Sequence, residues 1–503
     1  MGIATPTRQV LSPRRVGLIG LGLCLVLLYH RSSFLDPSSR LLTSSDPQWE
    51  AGQHHALIAT VPHWHADVWL WLAGTLSRMN VGVDVFAECD GFKGVDHNDT
   101  CIQYGLVEFA REAGIWDGAL KHKSELFDRV NEQLPDGRLP DTVFLVTEKE
   151  DLPWVNEKLL ELWRDRPEGQ KFRLVPIYHE ATDNLEGEAK WWVPTGALSF
   201  LTISQHVNND LLHHFDVLTR DPDFTSLGFE HLRSRVVIPY LDVADRIRLG
   251  PASTEVPREE HTTISRAVIA GMVTLGRRDY YAIFEELEFL MEEDPALWGY
   301  FLNETTQVYD PIDSSDPNTF KLQLVGEKSS DMPDTDVLSN VVELIMGETQ
   351  EEFYEIMAGT DVLLLAWKPG GKYYETQASG GVVRSIEVGV PLLTTQTVLD
   401  KYSFLDTSVS IARPVAISEI GAIRWFRKYA HLDVVHMPVE QIIEIIRPDL
   451  PEDHHWKLPS ELADMLKHGW KRREMDFQRR RRDIEASNQR ALRETLMDPV
   501  GLS

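Results

Sequence analysis

The chain has 503 residues, enough for two or more domains that each bury a core. Apolar residues make up 43% and charged residues 25%, a composition that argues against disorder. Against 50 basic residues stand 78 acidic ones, a net charge of −28 that repels a phosphate backbone and argues against nucleic acid as a partner, while leaving room for a local cationic pocket that takes a small phosphorylated ligand.

At the N-terminus, Arg8, Arg14 and Arg15 precede an uncharged apolar run from Val16 to Tyr29, followed by His30 and Arg31. As a helix this run spans about 21 Å, short of the ~30 Å hydrocarbon core of a typical bilayer. No small-residue cleavage pattern follows it, so an uncleaved anchor in a thin early-secretory membrane fits better than a cleaved signal peptide. The expected layout is a cytoplasmic tail over 1–15, a membrane anchor over 16–30 and a polar stem over 31–53. The remainder would then be lumenal, on a single-pass protein of the Golgi or endoplasmic reticulum membrane. Two N-glycosylation tripeptides, Asn98-Asp99-Thr100 and Asn303-Glu304-Thr305, agree with that placement. Cys89 and Cys101 either form a bridge or stay free thiols.

From His54 onward short apolar strands alternate with helices. His55–Val61 (HALIATV), Val81–Ala87 (VGVDVFA), Thr142–Thr147 (TVFLVT), Phe172–Tyr178 (FRLVPIY) and Leu198–Ser204 (LSFLTIS) read as strands, with helices over Ala66–Met79 and Pro153–Trp163. The polar stretch Arg246–His261 reads as a linker. A second alternation follows, with strands at Ala267–Val273, Phe320–Val325, Val362–Ala366 and Pro391–Thr395 and helices at Asp279–Met291, Gln350–Met357 and Gly380–Val388. Buried strands alternating with helices predict parallel, doubly wound sheets. The expected domains are 54–245 and 262–435, joined by a linker at 246–261. Residues 436–503 are expected to form helices that pack back toward the first domain.

Chemistry concentrates in the second half. The strand AVIAGMV leads into Gly276, Arg277 and Arg278, and the strand FKLQLV ends in Gly326-Glu327-Lys328. In open α/β sheets ligands bind at the carboxyl edge. Either arginine, with Lys328, would there meet one anionic group such as a diphosphate. Next, Tyr374 leads into Ala378, Ser379, Gly380 and Gly381 just before a helix, so free N–H groups and the helix dipole would point at a bound anion. Gly389-Val390-Pro391 ends that helix.

The order of strand then Gly-Arg, strand then Gly-x-Lys, Tyr-x-x-x-Ala-Ser and Ser-Ile-Glu-Val-Gly-Val-Pro-Leu-Leu resembles the donor-binding half of GT-B glycosyltransferases. It is similar in particular to membrane-anchored (type II) fungal enzymes of that kind, over about Ala267 to Thr395. The resemblance implies two Rossmann-like domains facing across a cleft. It also implies a nucleoside-diphosphate sugar as co-substrate, no tightly bound cofactor and metal-independent transfer to a glycan, glycoprotein or glycolipid acceptor. Arg277 or Arg278 and Lys328 would hold the diphosphate, Ala378, Ser379 and Gly380 would donate to it, and Glu387 would bind the ribose. Many retaining members carry two glutamates eight residues apart, whereas Glu375 and Glu387 lie twelve apart and Arg384 stands near the place of the second acid. The stereochemical outcome therefore stays open.

The first half would supply acceptor site and base. His63, His65 and Asp67 follow the first strand, His179 and Glu180 follow the strand FRLVPIY, and His206 follows LSFLTIS. A histidine oriented by Asp67 suits general-base work. No compact cysteine or carboxylate set accompanies His63, His65 and Asp67, so no metal site is assigned. Two other functions compete with transfer: a non-catalytic lumenal sugar-binding or scaffold protein of the same fold, and a nucleotide-sugar epimerase. The anchor argues against the epimerase. A nicotinamide dehydrogenase would want Gly-x-Gly-x-x-Gly after its first strand, and HALIATVPHWHAD has none.

Overall fold

The computed structural model describes residues 52–61, 65–87, 102–180, 185–249, 261–326, 335–451 and 455–500. The first sheet holds β1 (His55–Thr60), β2 (Gly82–Ala87), β3 (Leu120–His122), β4 (Thr142–Leu145), β5 (Arg173–Tyr178), β6 (Ser199–Thr202) and β7 (Arg233–Val236), in the order β3-β2-β1-β4-β5-β6-β7. All its pairings are parallel. The second sheet holds β8 (Arg266–Ala270), β11 (Lys321–Val325), β12 (Val342–Ile345), β13 (Val362–Leu364), β14 (Leu392–Thr395) and β15 (Ser410–Arg413). Its order is β12-β11-β8-β13-β14-β15, again parallel throughout. An antiparallel hairpin of β9 (Tyr300–Asn303) and β10 (Val308–Pro311) interrupts the second alternation. The α/β class with two parallel sheets is the expected one.

Each sheet starts in its middle and winds outward both ways, so each has a switch point where the chain reverses direction across the sheet. In the first sheet it lies between β1 and β4, and in the second between β8 and β13. Loops leaving the carboxyl ends of those strands diverge there and open a crevice. Separate cores hold the two halves, one around Leu145, Leu174 and Trp192 and the other around Ile269, Tyr280 and Leu393.

The principal helices are α1 (Ala66–Arg78), α2 (Glu148–Asp165), α3 (Gln205–Leu218), α4 (Ala244–Leu249), α5 (Tyr280–Glu293), α6 (Gln350–Ala358), α7 (Gly380–Val388), α8 (Glu419–Lys428), α9 (Leu458–His468) and α10 (Glu474–Met497). Helix α7 stops at Gly389, which takes the left-handed conformation (φ 69°) that favours glycine. Helix α10 touches both halves. Arg481 donates to the Ile386 carbonyl at the end of α7 (2.8 Å), and Asn488 exchanges two 2.8 Å hydrogen bonds with the backbone of Ile238. Arg481 is therefore buried. The stretch expected as a linker opens as helix α4, and residues 250–260 lie outside the described residues.

The expected single-pass membrane location is corrected. Among the described residues no helix is long and apolar enough to cross a membrane, and the Val16–Tyr29 run lies outside them. Asn98, Cys89 and Cys101 also lie outside the described residues. Asn303 sits in the β9–β10 turn, where its side-chain amide donates to Asp310 (2.8 Å) and its oxygen accepts from the Thr305 N–H (3.0 Å).

Candidate functional site

The loop after β1 is held by a buried carboxylate. Asp151, in the first turn of α2, accepts from the backbone N–H of Val61 (2.6 Å) and of Thr147 (2.7 Å), which ties together the ends of the two strands flanking the first switch point. Burial pushes its pKa up to about 7, against the pull of those donors. The chain then reaches His65, which precedes α1 in a left-handed conformation (φ 70°). A histidine in that region is uncommon and strained, and such strain gathers where a side chain must be aimed.

His65 packs its ring 4.2 Å from that of His179, at the end of β5. His179 is fully enclosed, and its Nε2–H donates to the Val146 carbonyl at 2.6 Å. Burial and the neighbouring imidazole, against the Val146 hydrogen bond, set its pKa well below 6.5, so this ring is neutral. Burial also lowers the pKa of His65. Asp67 pulls it back up, and the Arg277 cation lowers it further. A residue of the second half is thus part of the electrostatic surroundings of a histidine in the first.

In the second half, β8 and β11 end in two glycines that pass very close. A Cβ on Gly326 (φ 139°) would lie 2.3 Å from the Gly271 carbonyl oxygen, so no other residue fits without moving backbone. Beyond Gly271, Gly276 and Arg277 are exposed, whereas Arg278 turns inward and donates to the Ala270 carbonyl. After β13, Ala366 takes φ 51°, and the buried Glu419 carboxylate accepts from the N–H groups of Leu365 (3.1 Å) and Ala366 (3.0 Å). Glu419 opens α8, so both halves pin a switch-point loop with a carboxylate from the first turn of a helix.

The loop after Ala366 crosses to the first sheet. Gln377 bridges Glu180, Lys372 pairs with Glu180, and the Ala378 N–H donates to the His179 carbonyl at 3.1 Å. The Ser379 N–H donates to the Tyr402 hydroxyl at 3.1 Å. Ala378 and Ser379 therefore spend their amides on the junction itself. The N–H groups of Gly380 and Gly381, at the open end of α7, donate to no described group and are the pair that faces outward. Tyr374 packs edge-on against Trp367 (5.0 Å between centroids). His206 sets its ring nitrogens against the carbonyls of Gln377 (3.2 Å) and Lys401 (3.4 Å).

Asp67 stands at the open end of α7, its Oδ2 4.0 Å from where a Cβ on Gly380 would lie. A carboxylate is stabilised there by the helix dipole. It also accepts from Arg384 at 3.3 Å, and Arg384 holds Glu387 at 2.7 Å. Burial opposes the Arg384 charge, but Glu387, Tyr354 and Asp67 outweigh it and keep the guanidinium firmly protonated. Glu387 differs from its expected ribose role. It is 2% exposed, with one oxygen accepting from the Leu241 N–H (2.8 Å) and the other engaged by Tyr354 and Arg384, so it ties α7 to the first half.

The structure thus brings together His65, Asp67, His179, Arg277, Ala378, Ser379 and Gly380. It turns Arg278 and Glu387 inward, and His63 and Lys328 lie outside the described residues. Among the described residues no three His, Cys, Asp or Glu side chains gather as a metal site. Sequence reasoning missed Asp151, Glu419 and the cross-junction role of Arg384.

No protein-family profile matches the chain, and no curated protein matches it by sequence. Solved structures with a similar course include UDP-GlcNAc 2-epimerase from Neisseria meningitidis bound to UDP-GlcNAc, at 12% identity and a TM-score of 0.40, covering 88% of this chain and 100% of that one. They also include the T4 phage enzyme BGT in complex with UDP and Mn2+, at 10% identity and a TM-score of 0.38, covering 88% and 100%. Likeness at this level assigns no role to any residue here.

Proposed function

We propose that the junction binds a nucleoside-diphosphate sugar and transfers its glycosyl group to an acceptor hydroxyl. The reading is carried by one observation: Arg277 and the open N-terminus of α7 from the second sheet stand beside the neutral, partly enclosed His65 of the first. An anion receptor and a proton acceptor at one place are what displacement of a diphosphate requires. Gly380 and Gly381 N–H groups and Arg277 would receive the diphosphate. The acceptor oxygen would attack the anomeric carbon, the bond from that carbon to the diphosphate oxygen would break, and the diphosphate would leave with the electron pair. The acceptor proton would pass to His65, whose lowered pKa leaves it able to take one at neutral pH.

The same receptor would serve an epimerase, and the N-terminal run no longer weighs against one. The two imidazoles 4.2 Å apart favour keeping it as the second reading, because they offer a site for proton exchange without any acceptor. A thermal-shift panel of UDP-, GDP- and CMP-sugars on the full chain tests the shared part, since a ligand that binds the folded state raises its melting temperature. Release of free nucleotide only when an acceptor alcohol is present supports transfer. Sugar inversion without acceptor supports the epimerase, and no stabilising nucleotide removes both.

A further inference from the structure

At the opposite, amino-terminal edge of the first sheet lies a cavity of about 440 Å³, between the starts of β5, β6 and β7 and the residues that follow α10. Its volume falls within the range of small-molecule sites. Arg173, the first residue of β5, lines it and is only 4% exposed. One of its nitrogens donates to the Leu496 carbonyl (2.9 Å), and among the described residues it forms no ion pair. A buried guanidinium without a carboxylate is costly unless an anion reaches it.

Two of the carboxylates nearby are paired with arginines. Asp498 pairs with both Arg233 and Arg235, Glu494 lies 3.1 Å from Arg235, and Glu230 lies 3.6 Å from His231. Burial lowers the Arg173 pKa to about 10, with Asp498 and Asp141 pulling it up from beyond ion-pair distance, so it stays charged at neutral pH. Ser199 adds a buried hydroxyl with no hydrogen-bond partner among the described residues. Leu198 and Leu232 supply an apolar wall.

From this we infer that the cavity is a binding site for a small oxyanion, a carboxylate or phosphate on a short apolar body, with Arg173 as its principal partner and Arg233 at the rim. The site is separate from the junction and stands whether or not the junction binds nucleotides. Because Asp498 and Pro499, just after α10, supply one wall and the site exists only in the folded chain, occupancy stabilises the fold.

The test is a calorimetric and thermal-shift titration of the full chain with inorganic phosphate and with succinate, at ionic strength matched with sodium chloride. Saturable binding of one or both probes is expected, with the preferred probe telling phosphate from carboxylate. Arg173→Met is expected to weaken that binding at least about tenfold, while Arg277→Ala leaves it in place. Should Arg173→Met fail to fold, the half-exposed Arg233→Gln carries the test, with weakening of at least about threefold expected. No saturable binding of either probe, or unchanged affinity in the folded arginine variant, overturns the inference.

Discussion

Arg384 reaches across the junction to Asp67 at 3.3 Å while the same guanidinium holds the buried Glu387 at 2.7 Å. The two contacts differ in weight. Asp67 is partly solvated, whereas Glu387 is enclosed, so removing the cation strands a buried carboxylate. Arg384→Met is therefore expected to destabilise the fold by about 3–5 kcal/mol. Asp67→Asn, which loses only the outer contact, should cost about 1 kcal/mol or less. Urea unfolding of both variants checks this, and equal losses would show that Glu387 does not depend on Arg384.

The pH dependence of turnover offers a sharper probe of His65. Its pKa lies below 6.5, lowered by burial and by Arg277 and raised by Asp67. If His65 takes the acceptor proton, activity should fall on the acid side along a limb set below pH 6.5. Arg277→Ala should move that limb to higher pH, and Asp67→Asn should move it lower. His65→Gln should reduce kcat by about 10²–10⁴ while nucleotide affinity changes little. A limb that ignores both charge changes would take His65 out of the reaction.

Asp151 makes stability itself depend on pH. Its folded pKa is about 7 against 3.8 unfolded, so between those values the folded chain binds the extra proton. Stability from this group is then full below about pH 4 and declines as pH rises toward about 7, by on the order of 4 kcal/mol. Asp151→Asn should flatten the stability curve in that window relative to the wild type. Asp151→Ala should cost about 2–4 kcal/mol near pH 4, because two buried N–H groups lose their acceptor, and progressively less as pH rises toward about 7, where the wild type loses its own advantage. Chemical denaturation from pH 4 to pH 8 measures both.

The share of the fold that was legible in the sequence is set by burial. The central strands β1, β4, β5, β8, β11 and β13 read as unbroken apolar runs because helices cover both sheet faces. Of the six strands that escaped notice, β9 and β10 form the short hairpin, and β3 (LKH), β7 (RSRV), β12 (VELI) and β15 (SIAR) are the edges of the two parallel sheets. An edge strand needs only partial burial and carries charges that discourage further pairing, so its sequence looks like loop. The residues that gather at the junction were legible where they follow strand ends, as at His65, His179 and Arg277. The inward turn of Glu387 and the cross-junction contact of Arg384 stayed hidden because helical spacing does not reveal which face turns toward the other half. Asp151 reaches the Val61 amide and Glu419 reaches those of Leu365 and Ala366, all in segments far away in sequence, a relation that no local pattern contains.

If the junction of the two switch points receives a nucleoside diphosphate, isothermal titration of the full chain with UDP, GDP and CDP should detect it. Saturable one-to-one binding of at least one of them is expected, weakened about tenfold, or 1.4 kcal/mol, by Arg277→Ala. Absence of binding by all three, or an affinity that Arg277→Ala leaves unchanged, would refute a nucleotide site at this junction.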